Sequence, residues 1–374
     1  MANLFDYLKW RGDITFEQVP FNKLDALLLS HLSYSIFDGL LSESFDEKKT
    51  LEQLALDFKN AKDYENRINI GFLINKQTAE LMFACATSER FKNVQICGYK
   101  KIDDLKIKEQ FAAMVYLAGG KTVISYRGTD DTINGWWEDF NLVYLPQIPA
   151  QKDAIEYMKA AADYFKGDFT LVGHSKGGNL VVNTAVEVDQ NIQNRIEKIY
   201  NFDGPGFKKE FFERPEFKAV ENKLFSVYPE FSVVGMIFNH TGKYQVAKSD
   251  GFAVMQHDAM TWQVMGADFD EAPDFTPESK FFAKTFNEWL EGLTADQTEV
   301  FINAFYEVVQ ACGATTLNEI EDNPLHSAAK MVQKLSAMDK KRKREVHRML
   351  RMFKTVIRKD SPFAKVLTLA RKQV

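Results

Sequence analysis

Cysteine is scarce in this chain: Cys85, Cys97 and Cys312 are the only three in 374 residues. They are odd in number, widely spaced and form no C-x-x-C pair, which excludes a disulfide scaffold and a thiolate zinc site. Reduced, buried thiols are expected, and they fit a cytoplasmic location. Neither sign of charge dominates. Lys and Arg total 47 against 52 Asp and Glu, a formal charge of −5, which leaves no general footprint for nucleic acid. Long apolar runs are missing too. The most apolar early stretch, Leu24 to Phe37, is broken by Asp25, His31 and several serines and is too short to cross a bilayer. The first residues, Met1 to Tyr7, have no basic segment leading into an apolar one, so no signal peptide is expected. Internal repeats and low-complexity linkers are lacking as well.

What is present is enough for a large core. Hydrophobic residues make up 45%, with 31 Phe, 13 Tyr and 5 Trp, a composition suited to one sizeable α/β domain with an added segment. Apolar spacing predicts helices over Phe21 to Leu41, with Asn22 as cap, and over Lys48 to Lys59 and Glu65 to Ala84. From Val94 the pattern changes. Gln110 to Tyr116 and Thr122 to Tyr126 read as strands joined by Ala118-Gly119-Gly120-Lys121 in a hairpin. Strands at Phe169–Val172, Ile196–Phe202, Leu224–Tyr228 and Tyr244–Ala247 then alternate with helices at Ala150–Phe165 and Gly178–Val188. That alternation argues for a mostly parallel sheet with helices on both faces. After about residue 270 only helices are expected: Glu278 to Leu290, Thr294 to Gln310 and Leu325 to Arg358. The predicted organisation is a domain over 1–270 with a helical N-terminal part, and a helical C-terminal extension over 271–374 packed on it.

Gly173-His174-Ser175-Lys176-Gly177 fits G-x-S-x-G between a strand and a helix. In this setting a tight, strained turn lifts a serine hydroxyl above the sheet edge, and Gly173 and Gly177 leave room for it. The helix that follows aims its first amides at developing negative charge. Ser175 is therefore the candidate nucleophile of an α/β-hydrolase fold; the alternative is a turn that kept the fold and lost the chemistry. His174 is expected to pack beneath the elbow. The loop Arg127-Gly128-Thr129 ends an early strand, where such enzymes supply an oxyanion amide. The backbone N–H groups of Thr129 and Lys176 are assigned to that hole.

Nucleophile, acid and histidine follow one another along the chain in this fold. Four histidines follow Ser175, and two of them, His326 and His347, sit in the helical extension. His257 follows the last expected strand and is the candidate base, with His240 read as structural. Asp203 directly follows the strand that ends at Phe202 and is the favoured acid. Glu230, one strand later, is the alternative acid. Asp258 adjoins His257 and cannot easily orient it. The scheme needs no metal and no cofactor.

Together, Ser125-Tyr126-Arg127-Gly128-Thr129, Leu171 to Gly178 and Leu224-Phe225-Ser226-Val227-Tyr228 resemble the class 3, or fungal-type, lipases. The chain is more closely similar to a bacterial lipase-like family of unknown function. Members of that family share the Gly-His-Ser-Lys-Gly-Gly-Asn elbow, Phe-Asp-Gly-Pro-Gly, a Ser-Val-Val-Gly turn, and Gln-His-Asp before a tryptophan, here Trp262. The resemblance implies a serine esterase or lipase-like hydrolase acting on a small-molecule or lipid ester. Class 3 lipases carry their acid where this chain has Ser232. Pancreatic-type lipases carry it one strand earlier, in a segment similar to Phe202-Asp203-Gly204-Pro205. Lys176 also departs from the leucine usual after the nucleophile, and is expected either to present a cation at the mouth or to face solvent.

A second reading is a weakly active or inactive hydrolase-like module that binds lipid, a membrane surface or a protein. Its support is residues 340–359, which hold ten Lys or Arg and one Glu. Val346, Met349, Leu350, Phe353 and Ile357 share one helical face beside that charge. Such a helix either contacts an anionic membrane weakly or docks its stripe on the protein.

Overall fold

The computed structural model describes residues 2–68, 77–104, 106, 109–130, 135, 138–139, 141–142, 145–240, 243–311 and 324–360. The main sheet grows in chain order. Its antiparallel edge is β1 (Lys49–Thr50), β2 (Gln95–Asp104), β3 (Glu109–Ala118) and β4 (Lys121–Tyr126). From β4 onward the pairing is parallel, through β5 (Phe169–His174), β6 (Ile196–Phe202), β7 (Leu224–Pro229) and β8 (Tyr244–Ala247). The expected hairpin is β3–β4. It pairs Ala118 with Lys121, and Gly119 and Gly120 turn it at φ of 57° and 74°, a conformation that costs glycine no clash. Every residue of β5 is buried, as expected of a strand covered on both faces.

Helices α1 (Leu4–Arg11), α2 (Lys23–Leu32), α3 (Leu51–Lys59) and α4 (Gln77–Ala86) contribute to the core on one face, around Leu28, Met82 and Trp262. Helices α5 (Pro149–Tyr164) and α6 (Lys176–Glu187) build the other, around Met158, Leu171 and Leu180. Asn22 caps α2 as expected, but the helix stops at Leu32 instead of Leu41. Ser30 and Ser33 turn their hydroxyls back onto the carbonyls of Leu27 and Ser30. Such local bonds compete with helix continuation, and the chain then turns so that Tyr34 reaches the sheet. The helix expected over Glu65–Ala84 is a short turn at Tyr64–Arg67 followed by α4; residues 69–76 lie outside the described residues, as does Cys312.

The C-terminal helices are α7 (Pro277–Glu291), α8 (Ala295–Gln310), α9 (Pro324–Ala337) and α10 (Lys340–Asp360). The single helix expected over Leu325–Arg358 is thus two. Asp339 divides them, because its carboxylate accepts from the amides of Lys341 and Arg342 at 3.0 and 2.9 Å and caps α10. Val346 and Met349 of α10 are buried in a cluster with Trp289 and Ala304, whereas Leu350 is exposed. No helix among the described residues is long and apolar enough to cross a membrane.

A buried ion pair ties α2 to the segments beside it. Arg90 grips both oxygens of Asp25 at 2.8 and 2.6 Å and also donates to the carbonyls of Ile14 and Val19. Tyr7 adds a hydrogen bond to Asp25 at 2.7 Å. Both charged side chains are shut off from water, so Arg90→Met leaves Asp25 buried and uncompensated, at a cost of about 3–5 kcal/mol. Urea unfolding should show this as a lowered midpoint; an unchanged midpoint would mean that the pair does not hold the N-terminal helices.

Candidate active site

β5 ends at His174 and α6 begins at Lys176, so the turn between them rests on Ser175. Its φ and ψ are 57° and −131°, a conformation that costs a residue with a Cβ about 1–3 kcal/mol. Close backbone packing holds it there. A Cβ on Gly173 would lie 2.2 Å from the Gly177 carbonyl oxygen, and one on Gly177 would lie 2.1 Å from that of Tyr126. Ser175 also donates its N–H to the Phe202 carbonyl at 2.9 Å. The elbow is thereby clamped between β4 and β6.

His257 ends a short 3₁₀ turn, Ala253–His257, and its position is set by contacts of the residues around it. Buried Trp262 donates its ring N–H to the Gln256 carbonyl at 2.7 Å. The Gln256 side chain accepts from the Phe231 amide at 2.8 Å. His174 Nε2 lies 2.8 Å from the His257 carbonyl, and its Nδ1 lies 3.0 Å from the Tyr34 hydroxyl. A carbonyl only accepts, so His174 carries its proton on Nε2 and takes a hydrogen bond from Tyr34 on Nδ1. Burial, and then the charge of neighbouring His257, hold His174 well below the ordinary histidine value, which keeps that tautomer neutral.

The structure brings Ser175, His257 and Asp203 into one hydrogen-bonded line. His257 Nε2 is 2.9 Å from Ser175 Oγ, and Nδ1 is 2.6 Å from Asp203 Oδ2. All three are buried. Asp203 stands just past β6 at φ 50°, with its N–H bonded to the Val227 carbonyl at 2.8 Å. Glu230 is outside this line. It is half-buried beyond β7, with its backbone bonded to Ala247 and Thr276. His240 meets the Tyr228 hydroxyl at 2.8 Å, and burial pushes its pKa down to about 4. Asp258 caps the next turn through the Met260 amide.

The loop after β4 lies against the serine. A Cβ on Gly128 would sit 3.0 Å from that of Ser175 and 2.1 Å from the Tyr34 hydroxyl. Thr129, next in the chain, is fixed by a 2.6 Å hydrogen bond to Asp139, whose carboxyl burial raises to about 6. The Lys176 N–H is the first amide of α6, with no acceptor one helical turn back.

The side chain of Lys176 overturns the expectation of a cation at the mouth or in solvent. It is buried, and its Nζ donates to Glu138 Oε2 and the Gln110 carbonyl, each at 2.7 Å. Glu138 also accepts the amides of Gln110 and Ala150 at 3.1 and 2.9 Å. The carboxylate and carbonyl satisfy a charge that would otherwise be driven to the surface. Sequence reasoning missed Glu138, and it missed Tyr34, which lies 140 residues from its partner His174. It also missed the hydroxyl of Ser232, which donates to Asp203 Oδ1 at 2.5 Å. Only Ser232 had left a signal, as a serine where class 3 lipases, which the sequence resembles, carry an acid.

A mostly parallel sheet, helices on both faces, a strained serine between strand and helix, and a C-terminal helical extension define an α/β-hydrolase-like protein. More particularly, the chain belongs to the Mbeg1-like family, whose profile matches residues 85–307, more than half of its length. No curated protein sequence matches it. Among solved structures it is similar to the M37 lipase, with 15% identity and a TM-score of 0.37 over 59% of this chain and 71% of that one. It is also similar to a triacylglycerol lipase from Penicillium expansum, with 16% identity and a TM-score of 0.30 over 47% and 76%. Both alignments are partial, and the fold assignment rests on strand order and the elbow.

If Lys176 is neutralised internally, Glu138→Gln leaves it as a buried charge without its anion. Stability should fall by about 3–5 kcal/mol. Chemical unfolding checks this. Unchanged stability would mean that Glu138 does not neutralise Lys176.

Proposed function

We propose that the protein is a serine hydrolase that cleaves carboxylic esters, lipid esters among them, by acyl transfer. The observation that carries this reading is the line Ser175–His257–Asp203, with contacts of 2.9 and 2.6 Å. His257 Nε2 takes the hydroxyl proton as Ser175 Oγ attacks the ester carbonyl, and Asp203 holds the imidazole in the required tautomer and stabilises its cation. The backbone amides of Thr129 and Lys176 receive the oxyanion, aided by the N-terminal end of α6. The alcohol leaves with the proton from His257. Water, deprotonated by the same imidazole, then releases the acid. In this reading 1–270 is the hydrolase unit and 271–374 an extension packed on it. The buried thiols of Cys85 and Cys97, the latter pushed up to about 11 by burial, fit a reducing, cytoplasmic setting.

On this scheme Ser175→Ala abolishes both labelling by a fluorophosphonate probe and turnover of an ester panel, with the fold intact by circular dichroism. Asp203→Asn lowers kcat by up to ~10⁴-fold, because the imidazole loses its orienting anion; Glu230→Gln does far less. Persistent labelling of the Ser175 variant would place the nucleophile elsewhere, and a crippling Glu230→Gln would move the acid one strand on.

A membrane-surface contact is the second reading. Val346 and Met349 of α10 are buried, while Lys340, Lys343, Arg344, His347 and Arg351 share one open face of the helix. With those apolar residues engaged internally, the contact would be electrostatic. Purified protein should then float with anionic but not neutral liposomes and release as salt shortens the Debye length below about 8 Å. Charge reversal at Lys340, Lys343 and Arg344 should abolish flotation and spare hydrolysis of a soluble ester. Failure to float at low salt would end the membrane reading and leave the esterase one standing.

A further inference from the structure

Asp203 divides its two oxygens between different partners. Oδ2 faces His257 Nδ1 at 2.6 Å, and Oδ1 accepts from the Ser232 hydroxyl at 2.5 Å. Asp203 and Ser232 are both fully buried, so water cannot replace a lost partner. The turn that carries Ser232 is shaped to this contact. A Cβ on Gly235 would come within 2.2 Å of Asp203 Oδ1 and 2.8 Å of Ser232 Oγ, so only glycine leaves the space. The same turn is held from the other side by the C-terminal extension. Ser279 of α7 donates its hydroxyl to the Ser232 carbonyl at 2.7 Å. Further along α7, Asn287 accepts from the Phe238 amide at 2.9 Å and donates to the Met236 carbonyl at 3.0 Å. The Thr276 amide reaches the Glu230 carbonyl at 2.8 Å.

We propose that Ser232 is a positioning residue for Asp203, fixing the carboxylate so that its other oxygen meets His257. The inference rests on the proposed roles of Ser175, His257 and Asp203. A carboxylate turns easily about its last torsion, which has a broad two-fold profile. A hydrogen bond on Oδ2 alone leaves that torsion soft. A second, charge-assisted bond on Oδ1 fixes the plane and satisfies an oxygen that would otherwise be buried without a partner. The Ser232 bond also draws negative charge toward Oδ1, away from the oxygen that faces the imidazole. Removing the hydroxyl returns that charge to Oδ2, so His257 binds its proton more tightly and titrates at higher pH. A serine that merely filled space would not move that titration.

The test uses the full-length protein with Ser232→Ala, Ser232→Thr, which keeps the hydroxyl, and Ser232→Cys, which keeps the size but donates weakly. The His257 titration, followed by NMR, needs no turnover. Fluorophosphonate labelling rate against pH is the second readout. In Ser232→Ala the His257 midpoint and the acid limb of labelling should both move to higher pH, and the labelling rate should fall about 10- to 100-fold. Threonine should restore both. Cysteine should behave like alanine, and it serves if the alanine variant does not fold. An unmoved His257 titration in the alanine or cysteine variant would overturn the proposal, as would equal losses in the threonine and alanine variants. A wild-type protein that the probe never labels would count against the esterase reading alone, because the NMR titration still decides the role of Ser232.

Discussion

The close approach of three backbones at the elbow is the constraint on which the site depends. β4, the β5–α6 turn and the loop after β6 come together with no room for side chains at Gly173, Gly177, Gly178 and Gly204. A Cβ on Gly178 would lie 2.2 Å from the Asn201 side-chain oxygen, and Asn201 itself accepts from the Gly204 amide at 3.0 Å. The parallel register of β5 and β6 places His174 beside Phe202. Ser175 and Asp203 therefore leave the sheet as neighbours, each at positive φ. Two strained residues side by side persist because the packing around them is over-determined.

Around that elbow the polar groups are arranged so that charge is confined. His174 is neutral and spends its two nitrogens on Tyr34 and on the His257 backbone. Lys176 is neutralised inward by Glu138. Beside Ser175, Asp203 faces His257, and the buried carboxyl of Asp139 lies close enough to feel the charge of His257 as well. In a buried setting, where electrostatic interactions are poorly screened, a stray cation so near the imidazole would disfavour its protonation. The pairing of Lys176 removes that conflict.

The C-terminal extension enters the same network at its first helix. Thr276, Ser279 and Asn287 each bond to the segment between Glu230 and Phe238, and that segment carries Ser232. Helix α10 is farther along the chain and contacts α7 and α8, with Met349 accepting from the Trp289 ring N–H at 3.1 Å. The extension is thus coupled to the acid through α7, while the basic residues Lys340, Lys343, Arg344 and Arg351 share an open face of α10.

The sequence by itself determined the periodic elements, singled out Ser175 and His257, and narrowed the acid to Asp203 or Glu230. Alternating strand and helix patterns, the Gly119-Gly120 hairpin and the strand–serine–helix context of Ser175 are local signals, each written within about ten residues of chain. His257 was legible because chain order in this fold restricts the choices, and the same order left Asp203, the favoured acid, and Glu230 as alternatives. Helix ends were less legible: α2 stops at Leu32 and α10 restarts at Lys340 because the side chains of Ser33 and Asp339 bond to nearby backbone, which apolar spacing does not register. The choice of Asp203 over Glu230 as the partner of His257 was decided only in three dimensions, by which carboxylate the β6 and β7 ends carry to the imidazole. So were the burial of Lys176, the tautomer of His174 and the bond from Ser232 to Asp203. Each depends on partners between 29 and 140 residues apart. No local pattern records such pairs, because what makes them is the stacking of elements on the two faces of one sheet.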